Sequence, residues 1–273
     1  MSGVARAFAR PGRKALIAYV TAGYPSVEAT LAVAPVLERN GCDLIEMGIP
    51  FSDPLADGAT IQNASFRALS GGMTPAKCIE LARALKEQVE VPLAFMSYYN
   101  PLLSYGLDCF TADCVSAGVA GLIVPDLPPD EGRELQRFAR PRGIDCIYLL
   151  APTSTDERIR LVSECSSGFI YLVSVAGVTG AATGAGDGLE SYVARVRAAC
   201  ALPLYVGFGV GTPAQAARVA ACADGVIVGS ALLRRLGTAT DTDQARSLAQ
   251  DFCGGLRAAM DAEHDLDGKD GRE

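Results

Sequence analysis

Eight short, continuously apolar runs that alternate with longer amphipathic stretches predict an α/β fold, a single (β/α)8 TIM barrel, for this 273-residue chain. The runs lack polar alternation, which suits strands covered on both faces in a parallel sheet between helices. No linker or shift of composition divides the chain. Eight strand–helix units in about 250 residues match such a barrel. A doubly wound open sheet is the alternative, because periodicity does not show closure.

In order, the runs are ALIAYV (15–20), LIEM (44–47), LAFMS (93–97), GLIV (121–124), DCIYLL (145–150), FIYLV (169–173), LYVGF (204–208) and GVIVG (225–229). Helix-like segments lie at 27–40, 75–89, 129–142, 156–165, 189–200, 213–222 and 243–261. Several open on a capping or first-turn residue: Ser26, Thr74 before Pro75, Pro129, Thr155, and Thr212 before Pro213. One domain over residues 1–261 is expected, with a short N-terminal lead before Lys14. The acidic segment 262–273 reads as a disordered tail, and the chain's one histidine, His264, lies in it.

Composition narrows the function. A net charge of −7 lacks the clustered Lys and Arg that a nucleic-acid backbone demands. Nine scattered cysteines without a C-x-x-C argue against zinc pairs or a disulfide framework and for reduced thiols in a cytoplasmic protein. MSGVARAFARPGRK is basic, but no apolar run long enough for a signal peptide follows it. No stretch reaches the roughly 18 uninterrupted apolar residues of a membrane span.

In a barrel of this kind, chemistry sits at the C-terminal ends of the strands. Glu46 is such a residue. Alternation in LIEMG puts Leu44 and Glu46 on one face and Ile45 and Met47 on the other. If Leu44 points into the barrel, Glu46 does too, near its upper mouth. Lost hydration there raises a carboxyl pKa and suits it to proton transfer near neutrality; a structural Glu paired with an Arg or a backbone amide is the alternative. Asp53 before Pro54 and Asp57 before Gly58 are as well explained by turns as by chemistry. Leu55 and Ile61, set between these bends, suggest a loop that folds over something.

Glycine-rich segments follow the last three strands: SVAGVTGAATGAGDG (174–188) with Thr179 and Gly180, GFGVGT (207–212) with Gly209, and Gly229–Ser230. Backbone N–H groups converging after strands seven and eight form the usual phosphate site of these barrels. For GFGVGT, tight strand–helix packing is the other reading. The spacing is not that of a dinucleotide fingerprint, and no G-K-[ST] of a Walker A loop occurs. Tyr98, Tyr99 and Asn100 after strand three, Asp126 in VPDLPP and Tyr171 on strand six are further candidates, each equally compatible with packing or turn roles.

Absences exclude more. A Schiff-base aldolase needs a strand-end lysine, whereas Lys14 precedes the first strand, Lys77 and Lys86 fall on a helix and Lys269 is in the tail. A zinc aldolase needs histidine ligands, and triose-phosphate-type isomerisation uses a histidine or lysine electrophile. What is left is proton transfer by carboxylates on a phosphorylated substrate that supplies its own electron sink.

The chain resembles the tryptophan synthase alpha chain family. EMGIPFSDPLADGATIQ reproduces the family's strand-end glutamate and P-F-S-D-P-x-A-D-G-x-x-I-Q almost letter for letter. VTAGYPS, MSYYNP, GLIVPDLP, LLAPTS, YLVSVAGVTG, VGFGVGTPAQA and ADGVIVGSALL follow in family order, over roughly residues 14–257. The resemblance implies a lyase that cleaves indole-3-glycerol phosphate to indole and glyceraldehyde 3-phosphate. Glu46 would shuttle protons at indole C3 and the neighbouring hydroxyl, and Asp57 would hold the indole N–H. Thr179 would bond Asp57 on loop closure, Tyr98 and Tyr171 would line the site, and Gly180, Gly209, Gly229 and Ser230 would hold the phosphate. The resemblance also implies an α2β2 complex with a beta chain, which carries the pyridoxal phosphate, and no cofactor on this chain. A free-standing indole-releasing lyase uses the same motifs, and a weakly active barrel that mainly activates a beta chain is the alternative from another class. Three departures stand out: Ala59 where the family commonly has proline, the glycine-rich AATGAGDG without the usual arginine, and the short lead.

Overall fold

The computed structural model describes Val4 and residues 13–174 and 188–267 of the chain. Its sheet is wholly parallel, in the order β5-β4-β3-β2-β1-β9-β8-β7-β6. The strands are β1 Ala15–Thr21, β2 Leu44–Gly48, β3 Leu93–Met96, β4 Val119–Ile123, β5 Asp145–Ile147, β6 Leu149–Leu150, β7 Ile170–Val173, β8 Leu204–Gly207 and β9 Gly225–Val228. β5 and β6 stand at the two ends of that order, yet they are separated in the chain by Tyr148 alone. They are one interrupted strand: its first half pairs with β4 and its second with β7, while the Tyr148 carbonyl accepts from the Tyr171 N–H at 3.1 Å. The sheet therefore closes into the eight-stranded barrel that the eight apolar runs predict.

Two apolar layers follow from strand alternation. One face of each strand, including Leu16, Ile45, Met47, Phe95 and Leu172, packs against the helices. The other, including Ile17, Tyr19, Leu44, Met96, Ile123, Tyr171, Tyr205 and Ile227, fills the barrel. Large and small side chains alternate inside. A Cβ on Gly48 would lie 2.0 Å from the Tyr19 phenol oxygen, and one on Gly207 would lie 2.4 Å from that of Tyr171. Gly48 and Gly207 are thus the spaces that admit two phenols to the barrel mouth.

The capping expectations hold at Ser26, Thr74, Thr155 and Thr212, each of which accepts a backbone N–H of the first helical turn. Thr212 completes a reciprocal capping box with Gln215. Pro129 is different: its helix begins only at Arg133, after Gly132, because 128–132 is taken up by turns. Three helices lie outside the segments predicted: Ala59–Ser70, Tyr99–Tyr105 and Leu107–Ser116; Gly229–Ser230 opens a further helix, Ser230–Leu236. The final helix, Thr242–Asp267, continues six residues past 261. All nine cysteines are free, and six are buried. No helix among the described residues is long and apolar enough to cross a membrane, and no cluster there could hold a metal ion.

Candidate active site

A cavity of about 510 Å³ opens at the C-terminal end of the barrel. Its wall brings together six of the residues singled out from the sequence: Glu46, Asp57, Tyr171, Gly209, Gly229 and Ser230. Thr179 and Gly180 lie outside the described residues.

Glu46 points into the barrel, as alternation with Leu44 predicts, and is fully buried. Neither carboxyl oxygen has a hydrogen-bond partner among the described residues. A buried charge without a partner is costly, so the group keeps its proton instead. Burial first, and then the charge of Asp57, push its pKa up to about 8. At neutral pH the carboxyl is a proton donor that becomes an acceptor within a unit or so of pH, the property a proton shuttle requires.

Asp57 arrives from the other side. Residues 53–57 form a tight turn in which the Asp57 N–H donates to the Pro54 carbonyl at 3.1 Å, and the helix Ala59–Ser70 starts just beyond. Gly58 gives that helix no side-chain cap. Burial lifts the Asp57 pKa to about 6, and a hydrogen bond from the Tyr98 phenol works against the rise. Tyr98 also accepts the Ala56 N–H at 2.8 Å, so it grips the turn through both backbone and carboxylate. Tyr98 thus joins the site by holding Asp57 in place, without being part of the cavity wall.

Other candidates separate cleanly from these. Asp53 is exposed, takes a hydrogen bond from Ser52 at 2.5 Å and faces an outer groove beside Leu55 and Phe66. Asp126 accepts the Tyr99 N–H at 2.9 Å and so caps the helix Tyr99–Tyr105. Asn100 is exposed on that helix.

The far wall of the cavity is built from GFGVGT and the β9 end. Gly209 has φ of +81°, open to glycine, but Phe208 before it has φ of +69°, a sparsely populated region for an aromatic residue. Ser174 donates its hydroxyl to the Phe208 carbonyl, and the Phe208 ring stands edge-on to Tyr171, with centroids 5.8 Å apart. The N–H groups of Gly211 and Thr212 are committed to Gln215 at 2.9 and 3.1 Å. Backbone donors on this wall must therefore come from other positions, and Gly209, Gly229 and Ser230 are among those that line the cavity.

Ile61, which the sequence placed in a loop that folds over something, also lines the cavity; sequence reasoning missed Tyr19, Met96, Phe208 and Arg234, which line it too. The alternation that located Glu46 on β2 would have found Tyr19 on β1 by counting from Ile17. Phe208, enclosed in GFG, gave no periodic signal.

The sequence profile of the family described as Tryptophan synthase alpha chain matches residues 6–261. The chain belongs to the tryptophan synthase alpha chain family. It is 52% identical over 261 residues to the tryptophan synthase alpha chain of Dehalococcoides mccartyi, covering 96% of this chain and 100% of that one. With the alpha chain of Geotalea uraniireducens identity is 48% over 265 residues, covering 96% and 99%. Among solved structures, tryptophan synthase subunit alpha from Legionella pneumophila superposes with a TM-score of 0.89 at 34% identity, covering 96% and 99%. Ligand-free tryptophan synthase from M. tuberculosis superposes with a TM-score of 0.84 at 38% identity, covering 94% and 100%. The family match reaches further toward both ends than the quoted motifs.

Proposed function

We propose that Glu46 and Asp57 divide between them the work of a lyase reaction. The chain is a lyase of tryptophan biosynthesis that cleaves indole-3-glycerol phosphate to indole and glyceraldehyde 3-phosphate. The observation that carries the residue assignment is the pair of unpartnered, buried Glu46 oxygens facing Asp57 across one cavity.

Glu46 in its acid form gives its proton to indole C3, and the ring becomes an indolenine cation. Asp57, ionised, accepts the indole N–H hydrogen bond and stabilises that positive charge. The bond from C3 to the glycerol chain then breaks. Its electron pair restores the aromatic ring, and the hydroxyl on the departing carbon returns a proton to Glu46 as the aldehyde forms. Glu46 ends as it began, so one carboxyl serves as acid and then as base. Gly209, Gly229 and Ser230 hold the phosphate, Tyr171 lines the site, and Tyr98 holds the Asp57 turn in place. The chain works with a beta chain in an α2β2 complex, and pyridoxal phosphate belongs to the beta chain. We place this activity in the cytoplasm.

The purified chain should release indole from indole-3-glycerol phosphate, slowly alone and faster with a beta chain. Asp57→Asn should lower that rate by about 10²-fold or more while leaving the far-ultraviolet spectrum unchanged. A wild-type rate in Asp57→Asn would remove it from the mechanism.

A further inference from the structure

Tyr19 has no role in the assignment above, yet it lines the cavity beside Glu46. It is the direct register partner of Glu46 across the β1–β2 pair, and both side chains point inward. Its ring spans two landmarks. At one end, the Tyr19 Cβ lies 3.2 Å from where a Cβ on Gly229 would be. At the other, the phenol oxygen reaches over Gly48, 2.0 Å from the place of a Cβ there. Gly229 lines the cavity on the side proposed for the phosphate, and Gly48 ends the strand that carries Glu46.

A substrate with its phosphate at Gly229 and Ser230 and its indole between Glu46 and Asp57 must lay its three-carbon chain along this ring. The phenol's hydrogen-bonding capacity points the same way. The Thr21 hydroxyl donates to the phenol oxygen at 3.4 Å. That contact uses one lone pair and leaves the phenol proton to donate. Burial, together with the nearby Asp57 and Glu46 carboxyls, raises the phenol pKa far above its ordinary value, so the proton is always present.

We propose that Tyr19 is a substrate-contacting catalytic residue, its phenol donating a hydrogen bond to the hydroxyl oxygen on the carbon attached to indole C3. That hydroxyl would then donate to Glu46 and accept from Tyr19, which fixes its proton toward the base. As the C–C bond breaks and the hydroxyl loses its proton to Glu46, its oxygen becomes the aldehyde carbonyl. The Tyr19 donor stays on that oxygen and stabilises the charge that develops there. Thr21 is a positioning residue that orients the phenol. The inference rests on the assignment of Glu46 as the proton shuttle.

The test compares wild type, Tyr19→Phe, Thr21→Val, the double variant and Glu46→Gln, each alone and with a beta chain. Release of glyceraldehyde 3-phosphate gives kcat and KM. Calorimetric titration gives the Kd of indole-3-propanol phosphate, the substrate analogue without either chain hydroxyl. Tyr19→Phe keeps the ring in place and should lower kcat by about 10–100-fold, with the analogue's Kd within twofold of wild type. Thr21→Val should lower kcat by about twofold to fivefold in the wild-type background and have no further effect beside Tyr19→Phe. A Tyr19→Phe rate within twofold of wild type overturns the inference. So does an equal loss of affinity for the analogue, which marks Tyr19 as packing alone, and so does a Thr21→Val effect that persists without the phenol. A Glu46→Gln variant with wild-type turnover would instead sink the assignment of the shuttle, whatever Tyr19→Phe shows.

Discussion

Buried carboxylates stand at both ends of this barrel, and their surroundings are opposite. At the N-terminal end, Asp43 accepts the Leu16 N–H at 2.9 Å and pairs with Arg13 at 3.3 Å and Arg257 at 3.6 Å. Arg257 is itself held by the Lys14 carbonyl at 2.8 Å and by Asp261 at 2.7 Å. Asp145, at the start of β5, accepts the Val4 N–H at 3.3 Å. At the C-terminal end, Glu46 is more deeply buried than either and meets no partner among the described residues. Burial alone therefore does not distinguish a structural acid from a catalytic one. A compensated acid ties elements together, whereas an uncompensated one is stored for a ligand.

The largest effect that tests this contrast is at Glu46. Glu46→Gln should reduce kcat by about 10³-fold or more and at the same time stabilise the fold. The sign follows from proton binding. The native carboxyl keeps its proton up to about pH 8, whereas the unfolded one loses it near 4.5. Native stability from this group is therefore unpenalised below pH 4.5, falls between 4.5 and 8, and is lowest above 8. Thermal unfolding should show wild type and variant alike at pH 4, and the variant more stable by about 2–4 kcal/mol at pH 8.5. Equal stability at both pH values would mean that Glu46 is compensated after all.

Asp43→Ala should do the reverse. It strips the half-buried Arg13 and the nearly buried Arg257 of a shared partner, at a cost of about 3 kcal/mol in denaturant unfolding. Its kcat at a temperature where it is folded should match wild type. A large loss of kcat with intact stability would erase the division of labour between the two ends.

The smallest effect sharpens the picture at the mouth itself. With Asp57 needed as carboxylate and Glu46 as acid, kcat/KM should be bell-shaped, with limbs near pH 6 and 8 that belong to the pair. Tyr98→Phe removes the hydrogen bond that lowers the Asp57 pKa, so the acid limb should move up by about half a unit. An unmoved acid limb would show that Tyr98 grips only the backbone of the turn.

Periodicity alone located all eight strands, because a strand buried on both faces must be apolar along its length, with Glu46 inside β2 and Asp145 at the start of β5 as the charged exceptions. It missed the helices Ala59–Ser70 and Tyr99–Tyr105, which begin inside loops rich in Pro, Gly and Asn, where local composition speaks for turns. Asp53, Asp57 and Asp126 looked equivalent as turn residues. Their environments separated them: Asp53 in an outer groove, Asp126 on a helix cap, Asp57 at the cavity.

The sequence by itself determined the strand order along the chain, the inward direction of Glu46 and the family, since alternation and motif spacing are properties of the local chain. Tertiary structure alone decided that the sheet closes across Tyr148, that Glu46 is left without a partner, and that Tyr19 reaches from Gly229 to Gly48. Each of those depends on which residues from distant strands meet, and on how much water their meeting removes.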